Sequence, residues 1–369
     1  MTDPVTLRRE LHRRPERSFD EYGTAAYLGR CLTEAGIAWQ PVARTGLLAR
    51  IEGRGDLSQA LVLRADIDAL PIGERSGVAW SSEIPGMMHA CGHDMHAAVL
   101  YGVLCALRDG DFEGTLFGLF QPGEECNPGG ASLVLAEEPF RDYTVRAVIG
   151  EHVEPDLPVG TFGFRSGRYM AANDELRFTV RGRGGHGALR TQVQDTVRAA
   201  AELVLAVTDL NAPGRIVSVG RFEAPGATNV IPDEVKLEGT MRTYDAAERT
   251  ALTEELRRIA GALSERHGLC IEFHPTPGYP CVVNDPQLTE RAEACCREAG
   301  YETAALELRP SSEDFGWYGT RYPALFYRLG VGPHAGRTHT AEFRPDERAI
   351  GPGIDFMTRL AKLFLHPEK

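Results

Sequence analysis

The sequence predicts a discontinuous α/β domain interrupted by one small inserted α+β domain. Three observations carry this expectation. The chain has 369 residues, more than one hydrophobic core usually serves. Almost continuously apolar runs alternate with helical stretches over residues 1–165 and again over 279–369, as in a sheet covered on both faces. Between them, over 166–278, strands alternate polar with apolar residues in the order β-α-β-β-α-β, the split motif of ferredoxin-like domains.

The elements follow in order. Leu7 and Leu11 open an amphipathic helix, and residues 21–35 form a longer one ended by Gly36. Strands are expected at 46–51 and 60–67; the second, ALVLRADI, is apolar enough to be buried on both faces. Residues 92–108 read as helix, 115–120 (TLFGLF) as a strand and 147–150 as another. In the inserted domain, strands are expected at 175–180, 216–222, 235–242 and 270–273. Its helices are expected at 192–210, rich in Ala, Val and Leu, and at 246–267, ended by Gly268. A helix at 286–299, a strand at 324–329 and a closing helix at 349–365 return the chain to α/β character. No repeat or low-complexity tract interrupts this order. A cleft between the two domains is the natural place for a ligand.

Composition excludes several classes of function. With 43% hydrophobic and 25% charged residues, the chain is neither disordered nor a coiled coil. Forty Lys and Arg against 52 Asp and Glu give a net charge of −12, a poor match to nucleic acid, whose phosphates require clustered cations. No apolar run approaches the roughly 18 residues of a membrane span. The N-terminal MTDPVTLRRELHRRPE lacks the apolar core of a signal peptide. A cytoplasmic location is therefore expected. The eight cysteines are scattered and do not suggest a disulfide framework; most fit small buried hydrophobes. Cys91 keeps different company.

Five stretches crowd metal-type ligands together: Arg64-Ala65-Asp66-Ile67-Asp68, His89-Ala90-Cys91-Gly92-His93-Asp94-Met95-His96, Gln121-Pro122-Gly123-Glu124-Glu125, Gly150-Glu151-His152 and Arg337-Thr338-His339-Thr340-Ala341-Glu342-Phe343. Three of them directly follow an expected strand, and in open α/β sheets ligands gather at the carboxyl ends of strands. Cys91 and His93 are two apart; in an extended segment both would face one ion. Thiolate, imidazole and carboxylate together suit zinc or another first-row divalent ion. Of the adjacent Glu124 and Glu125, one can bind metal while the other takes a proton from bound water. Taken alone, Cys91 would be an inert buried thiol, Glu124 a solvated carboxylate and Arg242 an ordinary strand salt bridge. His89 and His96 are expected to be hydrogen-bonded structural residues, and His12, His267, His274, His334 and His366 to lie outside the chemistry.

The motifs RADIDALPI, MHACGHDMHAA, FQPGEE, GGHG, TNVIPDEVKLEGTMRT, SSEDFGWY and HTAEFRPDE resemble those of the amidohydrolase, or aminoacylase, branch of the co-catalytic metallopeptidases. That group includes hippurate hydrolases, indole-acetyl-amino-acid hydrolases and N-acetyldiaminopimelate deacetylases. The likeness runs from about Leu7 to Phe364. It implies a metallopeptidase-type catalytic domain with the insert as lid and dimerisation surface. It implies two divalent ions per subunit (Zn, Mn, Co or Ni) held by Cys91, His93, Glu125, His152 and His339, with Cys91 between the ions. By the same likeness Glu124 is the general base and Asp68 a carboxylate that orients a ligand. His186 would stabilise an oxyanion, in its own or a neighbouring subunit, and Asn229 and Arg242 would contact the substrate. The insert departs from the common GGHAAxPH pattern. Gly184-Gly185-His186-Gly187-Ala188-Leu189-Arg190 keeps the histidine but lacks the proline and second histidine, which bears on the substrate rather than the reaction.

The implied reaction is hydrolysis of the amide bond of an N-acyl amino acid. Three alternatives stand beside it. A dipeptidase or aminopeptidase would use the same ions but require a free α-amine. A cysteine hydrolase would use Cys91 as nucleophile and His93 as base. A metal-storing protein would have no need of Glu124.

Overall fold

The computed structural model describes residues 1–366 of the chain. It divides into two compact units. The first comprises Met1–Tyr169, Val282–Glu307 and the chain from Asp314 on; the second comprises Met170–Cys281 and Leu308–Glu313. The short return segment was not anticipated within 279–369. It joins the second unit through backbone bonds that leave no pattern in sequence: Ala171 N donates to Arg309 O and Ser311 O at 3.0 and 3.1 Å.

The first unit is built on an eight-stranded mixed sheet. Its order is Ala38–Val42, Gly46–Glu52, Thr115–Gln121, Gln59–Asp66, Thr144–Glu154, Ala324–Gly330, Phe162–Phe164 and Thr303–Ala305. The four central strands run parallel to one another. Thr115–Gln121 and Ala324–Gly330 are buried at every position, which explains their unbroken apolar sequences. Helices His93–Leu107 and Ile350–Leu365 pack through Val99, Leu104, Phe356 and Leu360 onto the core that holds Leu61, Leu63 and Ile149. In the parallel register Asp66 lies beside Gln121 and Arg64 beside Gly150. The carboxyl ends of three neighbouring strands therefore deliver the Asp66–Asp68, Gln121–Glu125 and Glu151–His152 stretches to one place.

The strand expected at 147–150 is in fact Thr144–Glu154. Glu151 and His152 thus lie within it rather than after it. Pairing with Ala324–Gly330 extends through Arg328–His152 to Gly330–Glu154, so the neighbouring strand carries the ladder past the apolar run.

The second unit has a four-stranded antiparallel sheet in the order Arg215–Glu223, Glu234–Thr243, Ala172–Arg181, Cys270–Pro277, the ferredoxin-like arrangement. Helices Thr196–Thr208 and Ala246–His267 cover one face, with Leu203, Val207, Leu256 and Leu263 against Leu176, Phe178 and Val180. Asp195 and Asp245 cap them through their side chains. Gly268, at φ 62°, ends the second. No helix of the described residues is long and apolar enough to cross a membrane.

Candidate active site

Cys91 and His93 are not in an extended segment. Cys91 lies in a turn, Gly92 takes φ 88° and His93 is the first residue of helix His93–Leu107. The left-handed glycine turns the chain sharply, a conformation that favours a residue without Cβ. This turn, rather than two-residue alternation, sets Cys91 and His93 side by side.

Five of the expected ligands come together. Cys91 Sγ lies 3.3 Å from His152 Nε2 and 3.3 Å from His339 Nε2. Glu125 Oε1 is 3.2 Å from His339 Nε2 and 3.9 Å from His93 Nε2. The ligand atoms of Cys91, His93 and His152 lie within 4.8 Å of one another, and so do those of Cys91, Glu125 and His339. Cys91 belongs to both groups. Glu124 joins His93 and Glu125 in a third such group and is 7% exposed. His339 sits at φ 63° and is tied to the same turn by its N–H, which donates to Ala90 O at 2.8 Å.

Surrounding groups fix the imidazoles. His93 Nδ1 meets Asp68 O at 2.9 Å and Asp68 Oδ1 at 3.2 Å, leaving Nε2 to face the cluster. His152 Nδ1 donates to Val153 O at 2.7 Å, so Nε2 carries the lone pair. Asp68 Oδ2 accepts from Ser18 Oγ at 2.6 Å and from Glu125 N at 3.0 Å. A single buried carboxylate thereby orients one histidine and the backbone of the neighbouring glutamate.

The electrostatics favour a cation. Hydrogen bonds to Cys91 and Glu125 push His339 up to about 10. Burial opposes charge on His93, yet Asp66, Cys91 and Asp68 raise it well above the ordinary imidazole value. Burial pushes the Cys91 thiol up. Among the described residues, His93 Nε2 is buried without a hydrogen-bond partner, a costly condition unless something else satisfies it, and Glu125 Oε1 is met by His339 Nε2 at 3.2 Å. Soft sulfur, imidazole nitrogen and carboxylate oxygen converging in one place fit divalent transition-metal ions.

Just beneath lies a hydrogen-bonded network whose long-range partner, Asp314, the sequence motifs do not show. Arg64, 0% exposed, donates to Asp66 Oδ2 and Asp314 Oδ1 at 2.7 Å each and to Gln121 Oε1 at 2.9 Å. Asp66 in turn accepts from His96 Nδ1 at 2.6 Å, and His96 Nε2 accepts from Val153 N at 3.0 Å. Burial works against the Asp66 charge, but Arg64, His93 and His96 hold it well below the usual carboxylate range. The only sequence signal was charge inside apolar strands. His96 is hydrogen-bonded as expected. His89 is not: both its ring nitrogens are buried without a partner, and burial pushes it down to about 4, so it is a neutral ring held by packing.

The remaining candidates belong to the second unit. His186 is exposed and lies in the two-residue strand Gly185–His186, paired with Val230–Ile231. Asn229 is exposed beside it, its carbonyl accepting from Gly187 N at 2.8 Å. Arg242 is half-buried and donates to Ser312 Oγ at 3.0 Å.

Comparison with known proteins identifies the family. The model of peptidase family M20/M25/M40 matches residues 62–363. An N-acetylcysteine deacetylase of Bacillus subtilis is 35% identical, the alignment covering 99% of this chain and 97% of the relative. An N-acetyldiaminopimelate deacetylase of Enterococcus faecalis is 34% identical over 97% of each chain. Among solved structures, a dinuclear metal-binding peptidase of the M20 family from B. subtilis superimposes with TM-score 0.88 at 34% identity, covering 98% of this chain and 97% of that one. The chain belongs to peptidase family M20/M25/M40.

Proposed function

We propose that this chain is a metal-dependent amidohydrolase that cleaves N-acyl amino acids, N-acetyl amino acids first, to a carboxylic acid and a free amino acid. One observation carries the reading: Cys91 is common to two ligand groups, Cys91–His93–His152 and Cys91–Glu125–His339, with Glu124 beside them. Family membership and the names of the relatives support the amide bond and the acetyl group. The residues fit two divalent ions, and the mixed sulfur, nitrogen and oxygen donors favour Zn, Mn, Co or Ni. Such ions supply a Lewis acid for a carbonyl oxygen and make water a stronger acid.

In this reading Glu124 takes the proton of the attacking water and returns it to the leaving nitrogen. Asp68 holds the His93 ring and the Glu125 backbone in place. His186 donates to the developing oxyanion. Arg242 and Asn229 receive the amino-acid carboxylate, a task suited to a guanidinium. A homodimer through the second unit belongs to the same proposal, supported by Ile216 and Phe222, which are exposed on its outer strand. A reducing cytoplasm suits a chain with a free Cys91 and no disulfide among the described residues.

The test is hydrolysis of a panel of N-acetyl and N-benzoyl amino acids, N-acetyldiaminopimelate and glycyl dipeptides. Turnover of N-acyl substrates over dipeptides supports the proposal. Preference for a free α-amine would replace it with a dipeptidase.

A further inference from the structure

The turn that carries Glu124 and Glu125 is held from outside its own strand. Residues 16–21, at the junction of the first two helices, run along the Asp68–Ala69 segment and the Gly123 turn. Ala69 N donates to Glu16 O at 2.8 Å, and Arg17 forms a parallel bridge with Ala69. Next in line, Ser18 Oγ donates to Asp68 Oδ2 at 2.6 Å, the oxygen that also receives Glu125 N at 3.0 Å. Phe19 takes φ 65°, a conformation that costs energy for a bulky residue and marks a constrained segment. Its ring fills the space that a Cβ on Gly123 would need, where the chain itself turns at φ 63°. Finally Glu21, 0% exposed, accepts Gly123 N on Oε1 at 2.8 Å and Thr45 Oγ1 on Oε2 at 2.5 Å. Glu21 is also the N-cap residue of helix Tyr22–Glu34, and burial raises its carboxyl above the ordinary value.

We infer that residues 16–21 form a clasp that fixes the Glu124–Glu125 turn, with Ser18 and Glu21 as its positioning residues. The inference rests on the proposed roles of Glu124 as base and Glu125 as ligand. Ser18 acts on Glu125 through the shared Asp68 oxygen. Glu21 acts on the turn through the Gly123 amide, one residue before the base. A clasp at this point governs both where the proton acceptor stands and how well Glu125 meets an ion.

The experiment compares wild type with Ser18→Ala, Glu21→Ala and Glu21→Gln. Metal-free protein is titrated with Mn²⁺ and with Zn²⁺ against a competing chelator, and kcat and KM for an N-acetyl amino acid are measured at saturating metal. The fraction folded is followed by circular dichroism. Ser18→Ala and Glu21→Ala should lose about 10–100-fold in affinity for one ion or in kcat, the range for residues that orient ligands, with KM held. Glu21→Gln keeps one acceptor for Gly123 N and a donor for Thr45, and should recover most of the loss. Wild-type affinity and kcat in both alanine variants would overturn the inference. So would losses that only track the folded fraction. Should Glu21→Ala not fold, Ser18→Ala, which removes a single hydroxyl, decides alone. If wild type cleaves no N-acyl amino acid, the proposed function fails, while the metal titrations still judge the clasp.

Discussion

Gly92→Ala is the most informative single change in the cluster, because it adds one methyl group between Cys91 and His93. Gly92 has φ 88°, and an L-residue held in that left-handed region costs about 1–2 kcal/mol. The new Cβ would also stand 2.6 Å from Val153 Cγ2. Val153 cannot retreat: it is 1% exposed, lies in strand Thr144–Glu154, and its N–H is held by His96 Nε2 at 3.0 Å. Overpacking of this kind costs about 1–3 kcal/mol, so the two effects together reach roughly 2–5 kcal/mol. The chain can relieve the collision only by moving Cys91 or His93, and a displacement of about 1 Å costs on the order of 100-fold in rate. Urea unfolding measures the first loss; metal titration of the folded variant, followed by kcat, measures the second. Wild-type stability together with wild-type metal affinity would refute the claim that the left-handed glycine sets the Cys91–His93 pair.

Other perturbations separate chemistry from support. Glu124→Gln should lower kcat by about 10²–10⁴-fold while bound metal stays unchanged, checked by elemental analysis of the same sample. Arg64→Leu removes the guanidinium from the Asp66 and Asp314 carboxylates, both 0% exposed; removing one partner of such a buried pair costs about 3–5 kcal/mol, read as a lowered urea midpoint. His12 is buried against Asp94 at 2.8 Å and Glu74 at 3.1 Å, with Arg8 2.6 Å from the same Asp94 oxygen. Burial opposes its charge, but Asp94 and Glu74 raise it above the ordinary 6.5. The stability this histidine contributes is therefore complete below about pH 6.5 and is lost as pH rises through the folded-state value. The gap in unfolding free energy between wild type and His12→Gln should narrow from about pH 6.5 upward, and a gap that stays constant to pH 9 would contradict the assignment.

Much of this arrangement was legible in sequence because it is local or periodic. Apolar runs such as ALVLRADI and TLFGLF marked central strands, and their parallel register then placed the residues at their carboxyl ends together. Alternation over 175–180 marked a strand with one exposed face, which the structure extends to Ala172–Arg181. What escaped depends on contacts between distant segments. The Arg64–Asp314 pair spans 250 residues, and charges within apolar strands give no hint of their partners. Leu308–Glu313 joins the second unit through backbone bonds to Ala171. Glu21 was expected only as the first residue of the helix over 21–35, although it is wholly buried and bonds to Gly123 and Thr45. The geometry of Cys91 and His93 was misjudged for a conformational reason: glycine permits a turn where two-residue alternation assumed an extended chain.

The central claim is that Cys91, His93, Glu125, His152 and His339 hold two divalent ions used in amide hydrolysis. Elemental analysis of the purified protein, paired with hydrolysis of N-acetyl amino acids before and after chelation, tests it most directly. The account predicts about two ions per chain, with activity lost on chelation and restored by Zn²⁺ or Mn²⁺. Metal-free protein whose hydrolysis resists chelators would contradict it and make Cys91 a nucleophile instead of a ligand.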